Sequence, residues 1–413
     1  MSKKQQYFDL SNFEQDEFIG KGGFSEVYKI KELNTGLVLA AKISLHRLDR
    51  NTKEIKELRT RISREVNIIS RLRHPCVLKF FGYSPIDFNQ ESKPIIITQY
   101  YSNGTLENII SLQRQNLAPN SWDDTKKLIN IYGIASGVSY LHAHDILHRD
   151  LKPQNILEDE NLFPKIADFG LAQVSHQKQD CTTYQPNNKT MGTTIYIAPE
   201  IWKKNAYSTA GDVYSFSLIV YEIMTKEVPF KGFDQDKIFD EILQNHARPR
   251  FKCMIPSSYR RLIERCWNDD PLERPTFDEI LTELKTNPGF ISRGVVKEEF
   301  FDYVEFVDQF HSSHDQNKPI LPYEEIKNQR RIKRMEEIKR KQEEKKVVPS
   351  SPGQISSQCP NPILKPNQNL ILKPITNPIQ KPKRAYIKKK TISDQKKLLL
   401  SNIQEYIDNS YKI

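Results

Sequence analysis

Four side chains in the middle of the chain have the types and the spacing that handling of a phosphoryl group requires. Asp150 and Asn155 lie five residues apart with Lys152 between them, and Asp168 follows eighteen residues after Asp150. A loop with this spacing can direct a proton acceptor, a cation and a metal-binding oxygen into one site. Phosphoryl transfer depends mainly on such positioning and on charge neutralisation. The surrounding strings are His148-Arg149-Asp150-Leu151-Lys152-Pro153-Gln154-Asn155 and Asp168-Phe169-Gly170.

A glycine-rich segment near the start of the sequence is suited to holding phosphates. Gly20 and Gly22, in Gly20-Lys21-Gly22-Gly23-Phe24-Ser25-Glu26-Val27, let backbone N–H groups approach phosphate oxygens without an intervening Cβ. A glycine-rich turn by itself is as typical of a structural hairpin. Here it lies within strand-like sequence, and Lys42 follows twenty residues after Gly22. Together these features predict a loop that covers a nucleotide.

The elements that would position these residues form a strand-rich part and a helix-rich part. Apolar alternation between Phe18 and Ile43, broken by glycines, predicts strands joined by tight turns. Residues 53–72 then change to helical spacing, with apolar side chains at three- and four-residue steps. The sequence therefore predicts a small sheet with one helix, followed by a larger, mostly helical part. Its predicted helices span 125–144, 209–225, 235–245 and 258–267.

These strings, with Ala41-Lys42, Glu65 and Ala198-Pro199-Glu200, resemble the signature of the protein kinase family in order and spacing. The resemblance implies an α+β, two-lobed protein kinase fold: a small β-sheet lobe with one main helix, and a larger, mostly α lobe. A C-terminal extension with helical segments and disorder is expected to follow. The implied boundaries are a leader at 1–12, the kinase domain at 13–285 (small lobe and hinge 13–101, large lobe 102–285), a helical, charged extension at 286–346 and a basic, disordered tail at 347–413.

The resemblance assigns four catalytic side chains. Lys42 contacts the α- and β-phosphates of ATP and pairs with Glu65 on the first helix. Asp150 accepts the proton of the acceptor hydroxyl or orients that hydroxyl, and Lys152 neutralises charge on the migrating phosphoryl oxygens. A glutamate on a charged helix is most often only solvated, but Ile69 lies one turn after Glu65 and is apolar, as the family pattern expects.

The cofactors implied by the resemblance are ATP and Mg²⁺, with Mn²⁺ as an alternative metal. Asn155 and Asp168 are the expected metal ligands. Thr98-Gln99-Tyr100-Tyr101 follows the apolar residues 95–97 and is similar to the family's hinge, with Thr98 as the gatekeeper. Ser25 stands where the family usually has a third glycine. The residues expected to contact ATP are Ile19, Gly20, Lys21, Gly22, Gly23, Phe24, Ser25, Glu26, Val27, Ala40, Lys42, Thr98, Gln99 and Tyr101.

The acceptor class follows from shorter resemblances. Lys152-Pro153-Gln154 resembles serine/threonine kinases, whereas residues 212–217 and 266–277 resemble the tyrosine-kinase-like group, whose members mostly phosphorylate Ser and Thr. The predicted function is therefore transfer of the γ-phosphoryl group of ATP to protein Ser/Thr hydroxyls in intracellular signalling. A dual-specificity or tyrosine kinase is an alternative. A pseudokinase-type scaffold is disfavoured because every residue required for activity is present. The same resemblance implies a buried ion pair between Arg274 and Glu200.

The segment between Asp168 and Glu200 suggests control by phosphorylation. Arg149 can hold a phosphate placed on this segment, whether by an upstream kinase or by autophosphorylation on the 170–200 loop. Thr190 is the first choice because it lies shortly before Gly192-Thr193. Loops are commonly rich in hydroxyls without any such role. The candidate acceptors are Ser175, Thr182, Thr183, Tyr184, Thr190 and Thr194.

The formal charge of +10 comes mainly from the C-terminal part of the sequence. Residues 286–413 hold 24 Lys and Arg against 15 Asp and Glu, a net charge of +9. Phe300, Tyr303, Val304, Val307 and Phe310 fall on one face of a predicted helix, and 324–346 is a second, charged helix with too few apolar positions for a coiled-coil seam.

The tail beyond residue 347 has two further features. An apolar-apolar-Lys-Pro unit recurs every eight residues over 363–382, with Gln380 replacing an apolar residue in the third copy. It can present docking segments to a protein partner or simply reflect biased composition. A basic cluster at 381–390 can attract nucleic acid, an anionic membrane surface or an import receptor, or only solubilise the chain. A protein that acts chiefly by binding through this tail is a third hypothesis.

Cysteine usage and hydropathy indicate the compartment. The five cysteines are scattered without paired short spacing, which is typical of reduced thiols in a cytosolic protein. The N-terminal residues lack the apolar stretch of a secretory signal, and no apolar run reaches membrane-spanning length, so no transmembrane segment is predicted. The expected location is cytoplasmic, with nuclear entry through the 381–390 cluster as an alternative.

Overall fold

The structure is a computed structural model that describes residues 7–174, 194–204, 206–233, 235–312 and 321–346. Thr190, the repeat at 363–382 and the basic cluster at 381–390 lie outside the described residues. The chain divides into two units, Met1–Arg330 and Arg331–Ile413.

The small lobe is an antiparallel sheet of five strands in the order β1-β2-β3-β5-β4, with one long helix. The helix begins after Thr52, whose hydroxyl accepts a hydrogen bond from the N–H of Ile55 at 3.3 Å. Its buried apolar face is the one that the three- and four-residue spacing predicted. The bounds are β1 (Phe13–Lys21), β2 (Ser25–Glu32), β3 (Val38–Ser44), α1 (Lys53–Ile69), β4 (Phe80–Ser84) and β5 (Ile95–Gln99).

The large lobe is mostly helical and is built around two helices, α3 and α5, that are buried along most of their length. The four helices predicted from the sequence are present, with ends within one residue of the expected ones. The elements are α2 (Leu106–Arg114), α3 (Asp124–Ala143), β6 (Ile146–Leu147), β7 (Ile156–Glu158), β8 (Pro164–Ile166), β9 (Gln173–Val174), α4 (Pro199–Lys204), α5 (Thr209–Thr225), α6 (Gln235–Gln244), α7 (Ser257–Cys266) and α8 (Phe277–Thr286).

Two further helices, α9 (Lys297–Ser312) and α10 (Tyr323–Lys346), follow the large lobe. The apolar face predicted for α9 is buried, and Phe300, Tyr303, Val304 and Val307 belong to the same hydrophobic core as α3 and α5. Among the described residues, no helix is both long and apolar enough to cross a membrane. The predicted fold class, a small β-sheet lobe followed by a larger helical lobe, is confirmed.

Candidate active site

Lys42 lies at the centre of a charge cluster that joins both lobes. Strand β3 carries Lys42 opposite Val27 of β2, and α1 carries Glu65 on its buried side. The Lys42 Nζ lies 2.7 Å from Glu65 Oε1 and 3.2 Å from Asp168 Oδ1. The ion pair expected between Lys42 and Glu65 is therefore present, and Asp168 extends it into the large lobe.

Lys42 and Asp168 stabilise each other's ionised forms, whereas burial acts against the charge of Glu65. Burial alone would lower the pKa of the Lys42 ammonium, but Asp168 and Glu65 outweigh it and raise that pKa. Burial would likewise raise the pKa of Asp168, but Lys42 and Arg61 hold it well below its usual range. For Glu65, burial prevails and the pKa is raised, although Lys42 favours the charged form. Asp168 thus presents an ionised carboxylate at the site.

The loop between β6 and β7 brings the predicted catalytic side chains together. Lys152 Nζ lies 3.1 Å and 2.9 Å from the two carboxylate oxygens of Asp150. The side-chain amide of Asn155 donates to the Asp150 backbone carbonyl at 2.8 Å and to its Oδ2 at 2.9 Å. Because its nitrogen is committed to Asp150, the ligand that Asn155 can offer a hard cation is its side-chain oxygen.

Asp212 binds the backbone of the catalytic loop, a role that was not predicted from the sequence. Its carboxylate accepts hydrogen bonds from the backbone N–H of His148 and of Arg149, each at 2.9 Å, and lies 2.9 Å from His142 Nε2. Burial would raise the pKa of Asp212, but His142 outweighs it and the pKa is lowered. The signal that could have found it is one acidic residue near the start of the apolar segment 209–225, since a buried charge needs partners.

Two residues at the site have left-handed backbone conformations, and nearby hydrogen bonds stabilise this part of the chain. Arg149 and Asp168 both have left-handed backbones, with φ of 68° and 59°. The ring of His148 contacts the carbonyl of Ala167 at 3.0 Å, and the N–H of Ala167 donates to the Asn155 carbonyl at 2.8 Å. Residues other than glycine that have a left-handed backbone conformation cluster at functional sites, where the surrounding structure must stabilise that conformation. The catalytic loop and the segment before Asp168 therefore hold each other in place.

The glycine-rich turn between β1 and β2 has room for a ligand. A Cβ at Gly20 or Gly23 would meet no heavy atom within 4 Å, and one at Gly22 would make only ordinary contact with Ser25. None of the three has a positive φ. Packing and backbone conformation therefore do not require glycine here, and the open space leaves room for a phosphate to approach the backbone. Ser25, in the place of the usual third glycine, closes the turn through its carbonyl, which accepts the Gly22 N–H at 2.7 Å.

The predicted hinge lies beside the same strands. Ala40 of β3 is paired with Thr98 of β5, whose side chain is buried, and Gln99 follows at the end of that strand. Burial raises the pKa of Tyr101. The apolar side chains of Val27 and Ala40 and the backbone of the predicted hinge therefore lie near Lys42. This combination of apolar surface and backbone polar groups suits a nucleotide base.

Two contacts of the large lobe complete the surroundings. Arg274 binds both oxygens of Glu200, at 2.7 Å and 2.9 Å, so the predicted ion pair is present and its Arg274 side chain is fully buried. Arg149, the expected phosphate-binding residue, donates to Gln173 and stacks on the ring of Tyr207 at 3.6 Å.

Comparison with known proteins agrees with this geometry. The sequence profile described as protein kinase domain matches residues 13–284. The probable serine/threonine-protein kinase drkD of Dictyostelium discoideum is 34% identical over 277 residues, which are 66% of this chain and 19% of that protein. The serine/threonine-protein kinase TNNI3K of Homo sapiens is 33% identical over 283 residues, 68% of this chain and 32% of that protein.

A third relative has a different specificity in its name. The dual specificity protein kinase shkC of Dictyostelium discoideum is 32% identical over 276 residues, 66% of this chain and 50% of that protein. The matched region thus spans half or less of the length of each of these three relatives.

Proposed function

This chain belongs to the protein kinase family, and we propose that it transfers the γ-phosphoryl group of ATP to serine and threonine hydroxyls of proteins, as a member of the tyrosine-kinase-like group. One observation carries the proposal. Asp168 is ion-paired with Lys42 at 3.2 Å, and Ala167, the residue before it, donates its N–H to the Asn155 carbonyl of the catalytic loop at 2.8 Å. The nucleotide end of the site and the catalytic loop therefore meet at one carboxylate, as phosphoryl transfer requires.

The side chains divide the work by charge and position. Bound MgATP supplies the transferable group and a metal ion that neutralises its charge. Lys42, aligned by Glu65, holds the α- and β-phosphates, while Asn155 and Asp168 provide oxygen ligands for Mg²⁺, with Mn²⁺ as an alternative. Asp150 accepts or orients the proton of the acceptor hydroxyl.

The Lys152 ammonium contacts both oxygens of Asp150, and its positive charge suits it to neutralise the phosphoryl oxygens. The resemblance of Lys152-Pro153-Gln154 to serine/threonine kinases supports Ser and Thr as the acceptors.

The test is incubation of the purified full chain with labelled ATP, Mg²⁺ and mixed protein acceptors. Asp150→Asn should lower the rate of transfer by about 10²–10⁴ because it removes the proton acceptor, and nucleotide binding should persist. Lys42→Met should lower both transfer and nucleotide binding. Exposed residues supply matched controls: Asp240→Asn and Lys31→Met should behave as the unaltered protein.

Two results would contradict the proposal. One is an unaltered chain that binds MgATP and transfers no phosphate to any acceptor or to itself. The other is an Asp150→Asn variant that is as active as the Asp240→Asn control. Either would favour a nucleotide-binding scaffold.

A dual-specificity kinase is the second candidate, because the relative shkC is named a dual specificity protein kinase. Phosphoamino-acid analysis of the labelled acceptors separates the two. Phosphoserine and phosphothreonine alone support the proposed function, and a substantial phosphotyrosine fraction supports the second candidate.

Regulation and location remain predictions from the residue pattern. They are phosphorylation of the 170–200 loop with Thr190 as first choice, binding of a protein partner or an anionic surface by the tail, and a cytoplasmic location with nuclear entry as an alternative.

A further inference from the structure

Helix α9 packs along α3 as tightly as the helices of the large lobe pack on one another. Phe300, Tyr303 and Val307 are 0%, 1% and 0% exposed. The rings of Phe300 and Tyr303 contact Tyr132 of α3 edge-on, at 5.7 Å and 6.5 Å between centroids. Gly133 makes this approach feasible, since a Cβ there would collide with the Tyr303 hydroxyl. The apolar face of α9 therefore forms a closely packed, buried interface with α3.

Charged residues fix the register of α9 on the lobe. Asp308 accepts a hydrogen bond from the Tyr132 hydroxyl at 2.5 Å and forms an ion pair with Lys285 of α8 at 3.1 Å. At the other end of the helix, Glu299 pairs with Lys126 of α3 at 2.6 Å. Both ends of α9 are thus attached to large-lobe helices.

Tyr303 links α9 to the connection between α1 and β4. Its hydroxyl lies 3.2 Å from the Sγ of Cys76, which is fully buried. The Cys76 carbonyl accepts the N–H of Ile166 at 2.8 Å, and the N–H of Leu78 donates to the Ile166 carbonyl at 2.9 Å. Ile166 lies two residues before Asp168.

The connection between α1 and β4 therefore contacts two elements that position active-site carboxylates. One end continues from α1, which carries Glu65, and the other is bonded to β8, which leads into Asp168. Farther along α9, the ring of Phe310 contacts His74 of the same connection edge-on at 5.9 Å. Two α9 side chains thus touch the segment that spaces the two carboxylates bound to Lys42.

We propose that α9 is a positioning element for phosphoryl transfer, whose docking through Tyr303 and Cys76 favours the placement of α1 and β8 that holds Glu65 and Asp168 against Lys42. This inference rests on the proposed kinase activity. Because coupling between two sites is reciprocal, MgATP binding must in turn favour the docked state of α9.

Cysteine labelling can report on docking without any catalytic readout. Burial raises the pKa of the Cys76 thiol to about 11, so with α9 docked it is inaccessible and protonated. Cys266 of α7 is also fully buried, lies outside the α9 contact and reports on unfolding of the whole lobe. Cys253 is exposed and reports on the reagent itself. Peptide mass spectrometry distinguishes the three.

The first variant is Asp308→Lys, which places a cation beside Lys285 and removes the acceptor of Tyr132. We expect faster labelling of Cys76, unchanged protection of Cys266, and a fall in kcat of up to about 10²-fold, the size that misplacement of reacting groups can cost. The double variant Lys285→Asp with Asp308→Lys reverses the ion pair and should restore both readouts in part, because the Tyr132 hydroxyl still lacks its carboxylate acceptor.

The second variant is Tyr303→Phe, which removes only the hydroxyl next to Cys76 and keeps the ring. We expect faster Cys76 labelling and a lower kcat, each by about two- to tenfold, the size of one net hydrogen bond. If Asp308→Lys also exposes Cys266, that variant has unfolded and Tyr303→Phe decides.

Several outcomes overturn the proposal. They are faster Cys76 labelling with kcat unchanged, a lower kcat with Cys76 still protected, and kcat within twofold of the unaltered chain in both variants.

A further experiment separates this inference from the proposed function. In the unaltered chain, Mg²⁺ with a non-hydrolysable ATP analogue should slow Cys76 labelling, and Asp308→Lys should weaken that protection. If protection appears but no phosphate is ever transferred, the coupling stands and the kinase function fails. If phosphate is transferred but the analogue leaves Cys76 labelling unchanged, only the coupling fails.

Discussion

The two ends of the active site hold their charged groups in different ways. At the small-lobe end, side-chain ion pairs join Lys42 to Glu65 and to Asp168, and the Lys42 side chain is 28% exposed. In the large lobe, the 3% exposed carboxylate of Asp212 binds the backbone N–H groups of His148 and Arg149. The small-lobe end is adjustable because flexible side chains form it. The large-lobe end is fixed because the hydrogen bonds of Asp212 constrain the main chain.

The hydrophobic cores around the two ends differ in extent, and the larger core surrounds the fixed end. The small lobe has its own limited cluster, centred on Ile30, Leu39 and Ile97, whereas the large-lobe core takes in α3, α5, α7, α8 and α9. A change at the fixed end should therefore cost both stability and rate, and a change at the adjustable end should cost rate alone.

The largest effect is expected from Asp212→Asn, at the fixed end. An asparagine amide group would point a donor at a backbone N–H that now donates to a carboxylate. Loss of one member of a buried charged network typically costs about 3–5 kcal/mol. A displaced Asp150 can lose about 10² in rate.

Chemical denaturation and the transfer assay measure these two effects, with Asp240→Asn as the control. A stable Asp212→Asn variant of normal activity would remove the contrast between the two ends.

An intermediate effect is expected at Glu222, a second buried carboxylate of α5. Glu222 accepts a hydrogen bond from Tyr196 and pairs with Arg114 at 2.9 Å. Burial raises its pKa from 4.5 to about 7, although Tyr196 and Arg114 favour the charged form. The folded state therefore holds this proton more tightly than the unfolded state does. Its contribution to stability is full below pH 4.5 and decreases as the pH rises toward 7.

Glu222→Gln does not titrate, so its free energy of unfolding relative to the unaltered chain should increase over that pH range. The increase should reach at most about 3 kcal/mol. Denaturation of both proteins at pH 4.5 and pH 8 at equal ionic strength measures it. A difference that is independent of pH would show that folding does not raise the pKa of Glu222.

The smallest effect on stability is expected from Glu65→Gln, at the adjustable end. Glutamine can still accept a hydrogen bond from Lys42, and removal of a charge that burial disfavours offsets the lost attraction. The free energy of unfolding should change by less than about 1 kcal/mol, while transfer should fall at least about tenfold because Lys42 is no longer held by two carboxylates. Glu57→Gln, exposed on the same helix, is the control. A large loss of stability would make the two ends alike.

The parts of the fold with strong periodicity were predictable from the sequence. The spacing of Ile55, Leu58, Val66 and Ile69 predicted α1 and its buried face, and the apolar face of α9 was predicted in the same way. The resemblance to kinases predicted the ion pairs of Lys42 with Glu65 and of Arg274 with Glu200, and both are present. The binding and metal roles of the site residues remain predictions.

Other features could not be read from spacing. Helices α2 and α8 were not predicted, and the role of Asp212 was missed because its partners are backbone groups 64 and 63 residues away. An extension was predicted after residue 285, but nothing in its sequence indicated that Tyr303 would reach Cys76, 227 residues earlier.

The amino-acid sequence alone determined which chemical groups this protein can use and the order in which the chain delivers them. A proton acceptor, a cation, oxygen ligands and a glycine-rich turn are properties of residue types at short spacing. Tertiary structure decided which buried partners hold those groups, as when Asp212 binds the catalytic loop and α9 contacts the connection that follows α1. The physical reason is that such contacts join residues far apart in sequence, and packing and desolvation select them only once the core has formed.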